Sequence, residues 1–191
     1  MKFTNTIVII DLEASCKRFG HNEVEESNII EIGAVKLDKR SLEIIEEFST
    51  LIKPADYPIL PEITEITGIS GKMVKDQPGF REAAEKFVEW YGKKNKSLLA
   101  GWGLYYDLPL LRKEFRVCGL EYSEYFVGGG FDIKGLGYYW LAKHQHSTTG
   151  VSVEKMVSKM GIDLDFPLHR ALNDARAAAA ILKYIAAEDN Q

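Results

Sequence analysis

What this chain has little of narrows it first. Among its 191 residues there are two cysteines, Cys16 and Cys118. A pair so placed has no metal-ligating spacing, which argues against a zinc centre. Sparse thiols suit a reducing compartment, so a cytoplasmic address is expected. No apolar run is long enough to cross a bilayer, and the opening MKFTNTIVIID lacks the apolar stretch and small-residue cleavage site of a signal peptide. Net charge is small, −4, so the bulk field does not attract a polyanion. Any polyanion must be held locally, by cations, helix ends and a few basic side chains, over a short footprint.

What is present is enough apolar content, 46%, to bury a sizeable core, and one domain over residues 1–191 is expected. Residues 7–10 are a continuous β-branched apolar run, the pattern of a central strand covered on both faces. Residues 28–38 and 42–54 read as two more strands, joined by the short charged turn Lys39-Arg40-Ser41, which favours an antiparallel hairpin. Residues 21–27 and 120–130 read as loops. Residues 80–91 carry Phe80, Ala83, Ala84, Phe87, Val88 and Tyr91 at helical spacing. A short strand at 97–102, a helix at 107–119, two partly helical stretches and an alanine-rich helix at about 170–187 complete the chain. Strands and helices in this order build an α/β fold on one mixed sheet.

Five side chains stand out by their surroundings: Asp11 and Glu13 in IVIIDLEAS, Asp107 in GWGLYYDLPLL, and His169 and Asp174 in HRALNDARAAAA. Singly, each has an ordinary explanation. Acids at a strand end are commonly solvated, Asp107 before Leu-Pro suits a helix N-cap, and Asp174 complements the positive end of its helix. His169 alone suits a capping or packed histidine. In combination they point elsewhere. Asp11 and Glu13 share a face because strand side chains alternate, and each acid ends or opens an element where α/β folds place ligands. Four carboxylates gathered together repel one another unless cations lie between them. Such a set builds a cage for two Mg²⁺ (or Mn²⁺) ions, which stabilises both oxygens of a phosphodiester displacement. His169 is then placed to take a proton from the attacking water. This is the pattern of a nuclease.

The same residues resemble the motifs of the DEDDh 3′→5′ exonucleases. Asp11-Leu12-Glu13 is similar to that family's first motif, Tyr106-Asp107 to its second, and His169 through Asp174 to its third, His-x-x-x-x-Asp. A sister branch carries tyrosine four residues before the last Asp; Arg170 occupies that position here, which favours the histidine branch. The resemblance runs from residue 7 to residue 185 and includes IIEIGAVKLD and EITEITGIS. Within the family, DLEASC, ITGIS and HRALNDA look most like the group of histone-mRNA and small-interfering-RNA 3′ exonucleases and KapD-type sporulation inhibitors. Asp107 lies five residues after Trp102 where that group usually has four, a spacing that resembles proofreading and ribonuclease T-like relatives instead.

The resemblance implies a ribonuclease H-like α/β fold: a mixed five-stranded sheet with an antiparallel strand, flanked by helices. It implies a divalent-metal-dependent exonuclease that releases 5′-mononucleotides from the 3′ ends of single-stranded RNA, or of short single-stranded DNA. RNA is the favoured partner, with no membrane and no appended RNA-binding domain. The alternatives are a proofreading or oligoribonucleotide-clearing exonuclease, or a regulatory nucleic-acid-binding module on the same fold; the latter should have lost a metal ligand, and none is missing. Residue by residue, Asp11 would bridge both ions, Glu13 and Asp174 would complete the first site, and Asp107 would serve the second. His169 would activate the water. Backbone from Leu12 to Ala14 would meet the terminal 3′-OH, and Ile66 with Thr67 would wall the last nucleotide. Tyr106 is among the aromatics able to stack a base, and Arg170 is a phosphate candidate by position.

Overall fold

The apolar run at residues 7–10 becomes the middle of the sheet, as its lack of polar alternation requires. In the computed structural model, which describes residues 3–20 and 23–188, the chain opens with β1 (Thr6–Cys16), β2 (Ser27–Leu37) and β3 (Ile44–Leu51). The short helices α1 (Pro61–Thr67) and α2 (Gly71–Val74) and the longer α3 (Phe80–Tyr91) follow, then β4 (Ser97–Gly101) and α4 (Asp107–Val117). The last part holds α5 (Tyr122–Tyr125), β5 (Phe131–Asp132), α6 (Ile133–Lys143), α7 (Val153–Met160) and α8 (Ala171–Glu188). The strands pair in the order β3-β2-β1-β4-β5. β2 is antiparallel to both neighbours, while β1, β4 and β5 run parallel. This is the expected mixed sheet with one antiparallel strand. Among the described residues, no helix is long and apolar enough to cross a membrane.

Alternation along β1 divides the core. Ile7 and Ile9 pack with Val35 and Leu37 under α6, α7 and α8, whereas Val8, Ile10 and Leu12 pack under α3 and α4. Both faces are therefore dry, which is why the strand has no polar side until residue 11. Alanine makes the α8 contact close: Ala175, Ala178 and Ala179 are buried in the first of these clusters. At one point the approach is backbone on backbone. A Cβ at Gly33 of β2 would lie 2.0 Å from the Leu172 amide nitrogen and 2.1 Å from the Ala171 carbonyl carbon. Gly33→Ala is expected to cost about 3 kcal/mol, the upper end of overpacking, because a backbone cannot yield as a side-chain tip can. Urea unfolding checks this, and a wild-type midpoint would show that α8 lifts away freely.

Several boundaries differ from expectation. β1 does not end at the acids; it continues to Cys16 because β2 pairs with it that far, across a bulge between Glu13 and Ala14. The stretch expected as a loop at 120–130 contains α5, whose first turn is capped by the Glu121 carboxylate accepting from the Ser123 amide. Tyr122, and Phe126 just after the helix, pack on Phe115, and that burial overrides the loop-like composition. The expected loop at 21–27 lies partly outside the described residues, at 21 and 22; Val24–Glu26 form a 3-10 turn. Asp107 is the first residue of α4 rather than its cap, a position held by Tyr106. The turn between β2 and β3 is held by Asp38, whose carboxylate accepts from the Arg40 and Ser41 amides.

Candidate active site

The pairing of β1 positions the first two acids. Its last partner on β4 is Ala100, opposite Ile9, so Asp11 and Glu13 stand beyond the carboxyl ends of the parallel strands. On the other side β2 still supports them, with Gly33 opposite Asp11 and Glu31 opposite Glu13. By alternation both acids lie on the α8 side of the sheet, with Ile7 and Ile9. Because Gly33 admits the first turn of α8, Asp174 reaches them. The carboxylates of Asp11, Glu13 and Asp174 bring oxygens within 4.8 Å of one another. Asp107 is outside that trio but lines a cleft of about 290 Å³ with Asp11, Trp102, Tyr106 and Lys134.

His169 precedes α8 in a left-handed backbone conformation, φ 68°. It is exposed, and its amide donates to Asp174 Oδ2 at 3.0 Å. The loop before it is tied to the helix by Asn173, whose side chain donates to the Pro167 carbonyl at 2.7 Å. Arg170, the expected phosphate contact, has its guanidinium on Glu31: Nη2 lies 2.6 Å from Oε1 and Nε 3.1 Å from Oε2. Burial of the Glu31 carboxylate demands that counter-charge.

A second cleft, of about 380 Å³, is lined by Glu13. Leu12, Ala14, Ile66, Thr67 and Tyr106 all line it, together with Cys16 and Phe19. Ile66 is half exposed there, while Ile69, three residues on, is fully buried in the core. The Tyr106 hydroxyl donates to Ser27 Oγ at 3.0 Å, so the ring's polar edge is held from behind. Of the other aromatic residues, Phe126 and Trp140 are core, whereas Tyr105, Tyr138 and Tyr139 are exposed.

The electrostatics of this corner are unfavourable without added cations. Burial, then Asp107, Glu13, Asp174 and Glu31, hold the Asp11 carboxyl well above the carboxylate range. Burial followed by Asp174, Glu31 and Asp107 raises Glu13 to about 8, against a lowering by Arg170. Burial and then Asp132 raise Asp107 to about 7, and burial raises Asp174 to about 6 although His169 opposes it. A donor set made only of carboxylate oxygens, crowded and poor in compensating cations, fits a hard divalent ion.

These shifts set a pH dependence. From about pH 4 to about 8 the folded chain retains protons on these carboxyls that the unfolded chain has released. The folded state then binds more protons, so stability falls as pH rises through that window. Melting temperature in chelator should therefore drop between pH 5 and pH 8, and saturating Mg²⁺ should flatten the slope. A chelated protein as stable at pH 8 as at pH 5 would contradict the electrostatic reading.

Three residues of this region escaped the sequence reading: Glu31, Gly33 and Asp132. Each carried a signal. Glu31 and Gly33 interrupt a strand that is otherwise buried and mostly apolar, where a charge or a glycine needs a reason. Asp132 caps α6 and also accepts from the Gly103 amide at 2.9 Å, fixing the turn that leads to Asp107.

A mixed sheet of this order, with acids from β1 and α8 meeting at the ends of its parallel strands and one from α4 lining the cleft beside them, defines an exonuclease domain of ribonuclease H-like fold. The chain belongs to the RNase T exonuclease family, whose profile it matches over residues 8–182. It is 31% identical over 182 residues to the DNA polymerase III PolC-type of Clostridium perfringens, covering 95% of this chain and 11% of that protein. It is 30% identical over 126 residues to the human ERI1 exoribonuclease 3, covering 62% of this chain and 36% of that one. In three dimensions it is similar to the nuclease domain of 3′hExo, a DEDDh family member solved with rAMP. That match has a TM-score of 0.79 at 23% identity and covers 96% of this chain and 92% of the other. The chain thus spans about a tenth of the PolC-type relative's length and about a third of the exoribonuclease's.

Proposed function

We propose that this chain, as one domain over residues 1–191, is a DEDDh-type 3′→5′ exonuclease that depends on two Mg²⁺ (or Mn²⁺) ions. It releases 5′-mononucleotides from single-stranded RNA. The observation that carries this is the convergence of Asp11, Glu13 and Asp174 within 4.8 Å, with His169 bonded to Asp174 through its backbone. Asp11, Glu13, Asp107 and Asp174 would hold the ions, which when bound supply charge stabilisation to the attacking and leaving oxygens. His169 accepts the proton of the attacking water; its exposed position leaves the ring free to do so. Backbone at Leu12 to Ala14 meets the 3′-OH, and Ile66, Thr67 and Tyr106 wall the terminal nucleotide in the larger of the two clefts beside the acids. The two cysteines are free thiols, Cys16 buried, in keeping with a cytoplasmic address.

A DNA-directed reading has its own support, since the alignment with the PolC-type polymerase covers 95% of this chain and that with the exoribonuclease 62%. A time course on 5′-labelled RNA and DNA of equal sequence, with and without Mg²⁺ or Mn²⁺, separates the two. Under either reading, hydrolysis should be blocked by a 3′-phosphate, because an exonuclease site takes a free 3′ end, and should stall at stable stems, because an acidic chain has little basic surface to grip a duplex. Efficient cutting of a circular single strand would show an endonuclease instead.

A further inference from the structure

Glu31 is a fully buried carboxylate, 1% exposed, that the chemistry proposed above does not use. It sits on β2 directly opposite Glu13, where it adds negative charge to a corner already crowded with it. Its contacts explain why it is there. One oxygen accepts from Arg170 Nη2 at 2.6 Å and the other from Arg170 Nε at 3.1 Å. The second oxygen also accepts from the Ala171 amide at 3.0 Å. Ala171 is the first residue of α8, so its N–H is one of the amides that a helix start leaves unpaired. Glu31 thus caps the helix from a distant strand, across 140 residues of sequence.

The capped segment is the one that matters. Arg170 lies between His169 and Ala171, and His169 holds a left-handed conformation, φ 68°, which is uncommon for any residue but glycine. The segment is pinned at one end by Glu31 and at the other by the His169 amide on Asp174. Arg170 also offsets the charge beside Glu13. An ion pair of this kind contributes little net stability over a well-packed apolar replacement.

The geometry points to Glu31 and Arg170 as positioning residues: a clamp that sets His169 and Asp174 against Asp11 and Glu13, with Arg170 acting through Glu31 rather than on a substrate phosphate. This rests on the exonuclease reading. The two roles for Arg170 differ in kinetics. A phosphate ligand binds ground and transition states alike and moves KM; a positioning residue moves kcat.

The test uses the full chain with Glu31→Gln, Arg170→Gln and the double variant. Single-turnover and steady-state rates are measured on 5′-labelled single strands with Mg²⁺ or Mn²⁺, and amide hydrogen exchange is followed in chelator. Each single variant should lose about 10–100-fold in kcat, the usual cost of removing a supporting partner at such a site. KM should stay within about twofold, and the double variant should be no slower than the worse single one. Exchange should rise at Ala171 and Asp174 while β1 and β4 amides stay protected.

A raised KM with normal kcat in Arg170→Gln, additive losses in the double variant, or unchanged exchange at Ala171 would each overturn the proposal. If Glu31→Gln does not fold, Arg170→Lys serves in its place, because lysine keeps the charge and loses the two-pronged contact. A wild-type kcat there also overturns it. Should the wild-type chain cut neither polymer with either ion, the exonuclease reading fails on its own, and the exchange result still decides whether the clamp exists.

Discussion

Asp11→Asn is expected to abolish turnover and, in chelator, to raise the melting temperature. Both effects come from one carboxylate placed where its charge is useful only to a cation. Asp11 sits opposite Gly33 on the central strand and is surrounded by Asp107, Glu13, Asp174 and Glu31, which together with burial resist its ionisation. Asparagine fills the same space without the charge. Loss of a group that stabilises transition-state charge in such a site costs at least about 10²–10³-fold in rate, and the role proposed above for Asp11, toward both ions, would put it at the upper end or beyond. The same substitution removes a repulsive partner from the four other carboxyls, so the metal-free fold gains. In a chain of this size each kcal/mol regained raises the midpoint by about 2–4 °C. Rate with Mg²⁺ and melting in chelator, measured on one preparation, check both halves. Wild-type turnover, or a lower midpoint in chelator, would remove Asp11 from the centre of the site.

His169 calls for a different substitution. Its φ of 68° penalises most replacements through the backbone, so a variant chosen only for side-chain chemistry mixes strain with mechanism. Asparagine tolerates the left-handed region better than alanine and carries no basic nitrogen. His169→Asn should therefore fold with a near wild-type midpoint, since the ring is exposed and the bond to Asp174 uses the backbone amide. Its single-turnover rate should fall by about 10²–10⁴-fold, the contribution of a positioned general base, or about 3–5 kcal/mol of barrier. Metal affinity, measured by the shift of midpoint with added Mg²⁺, should survive because every carboxylate remains. A variant that melts early but cuts at the normal rate would mean that His169 merely starts the helix.

Local pattern carried a good part of this protein. The unbroken apolar run Ile7 to Ile10 dictated a strand dry on both faces, and the switch to Asp11-Leu12-Glu13 dictated two acids on one side of it, because side-chain direction along a strand depends only on parity. The alanine-rich stretch announced a helix, and the spacing of His169 and Asp174 placed them at one end of it. Those are short-range properties, written in neighbouring residues. What they cannot contain is distance across the chain. That Asp174 meets Asp11 depends on Gly33 having no side chain where Leu172 passes. That Arg170 faces Glu31 depends on β2 lying antiparallel beside β1, in the register that sets Glu31 opposite Glu13. The turn from Tyr122 to Tyr125 packs down, with Phe126 after it, because Phe115 is there to receive Tyr122 and Phe126. The kinds of group at the site were thus determined by the sequence alone, whereas their convergence, and the buried pair that holds them, was decided by packing, since a buried charge takes whichever partner the fold brings within reach.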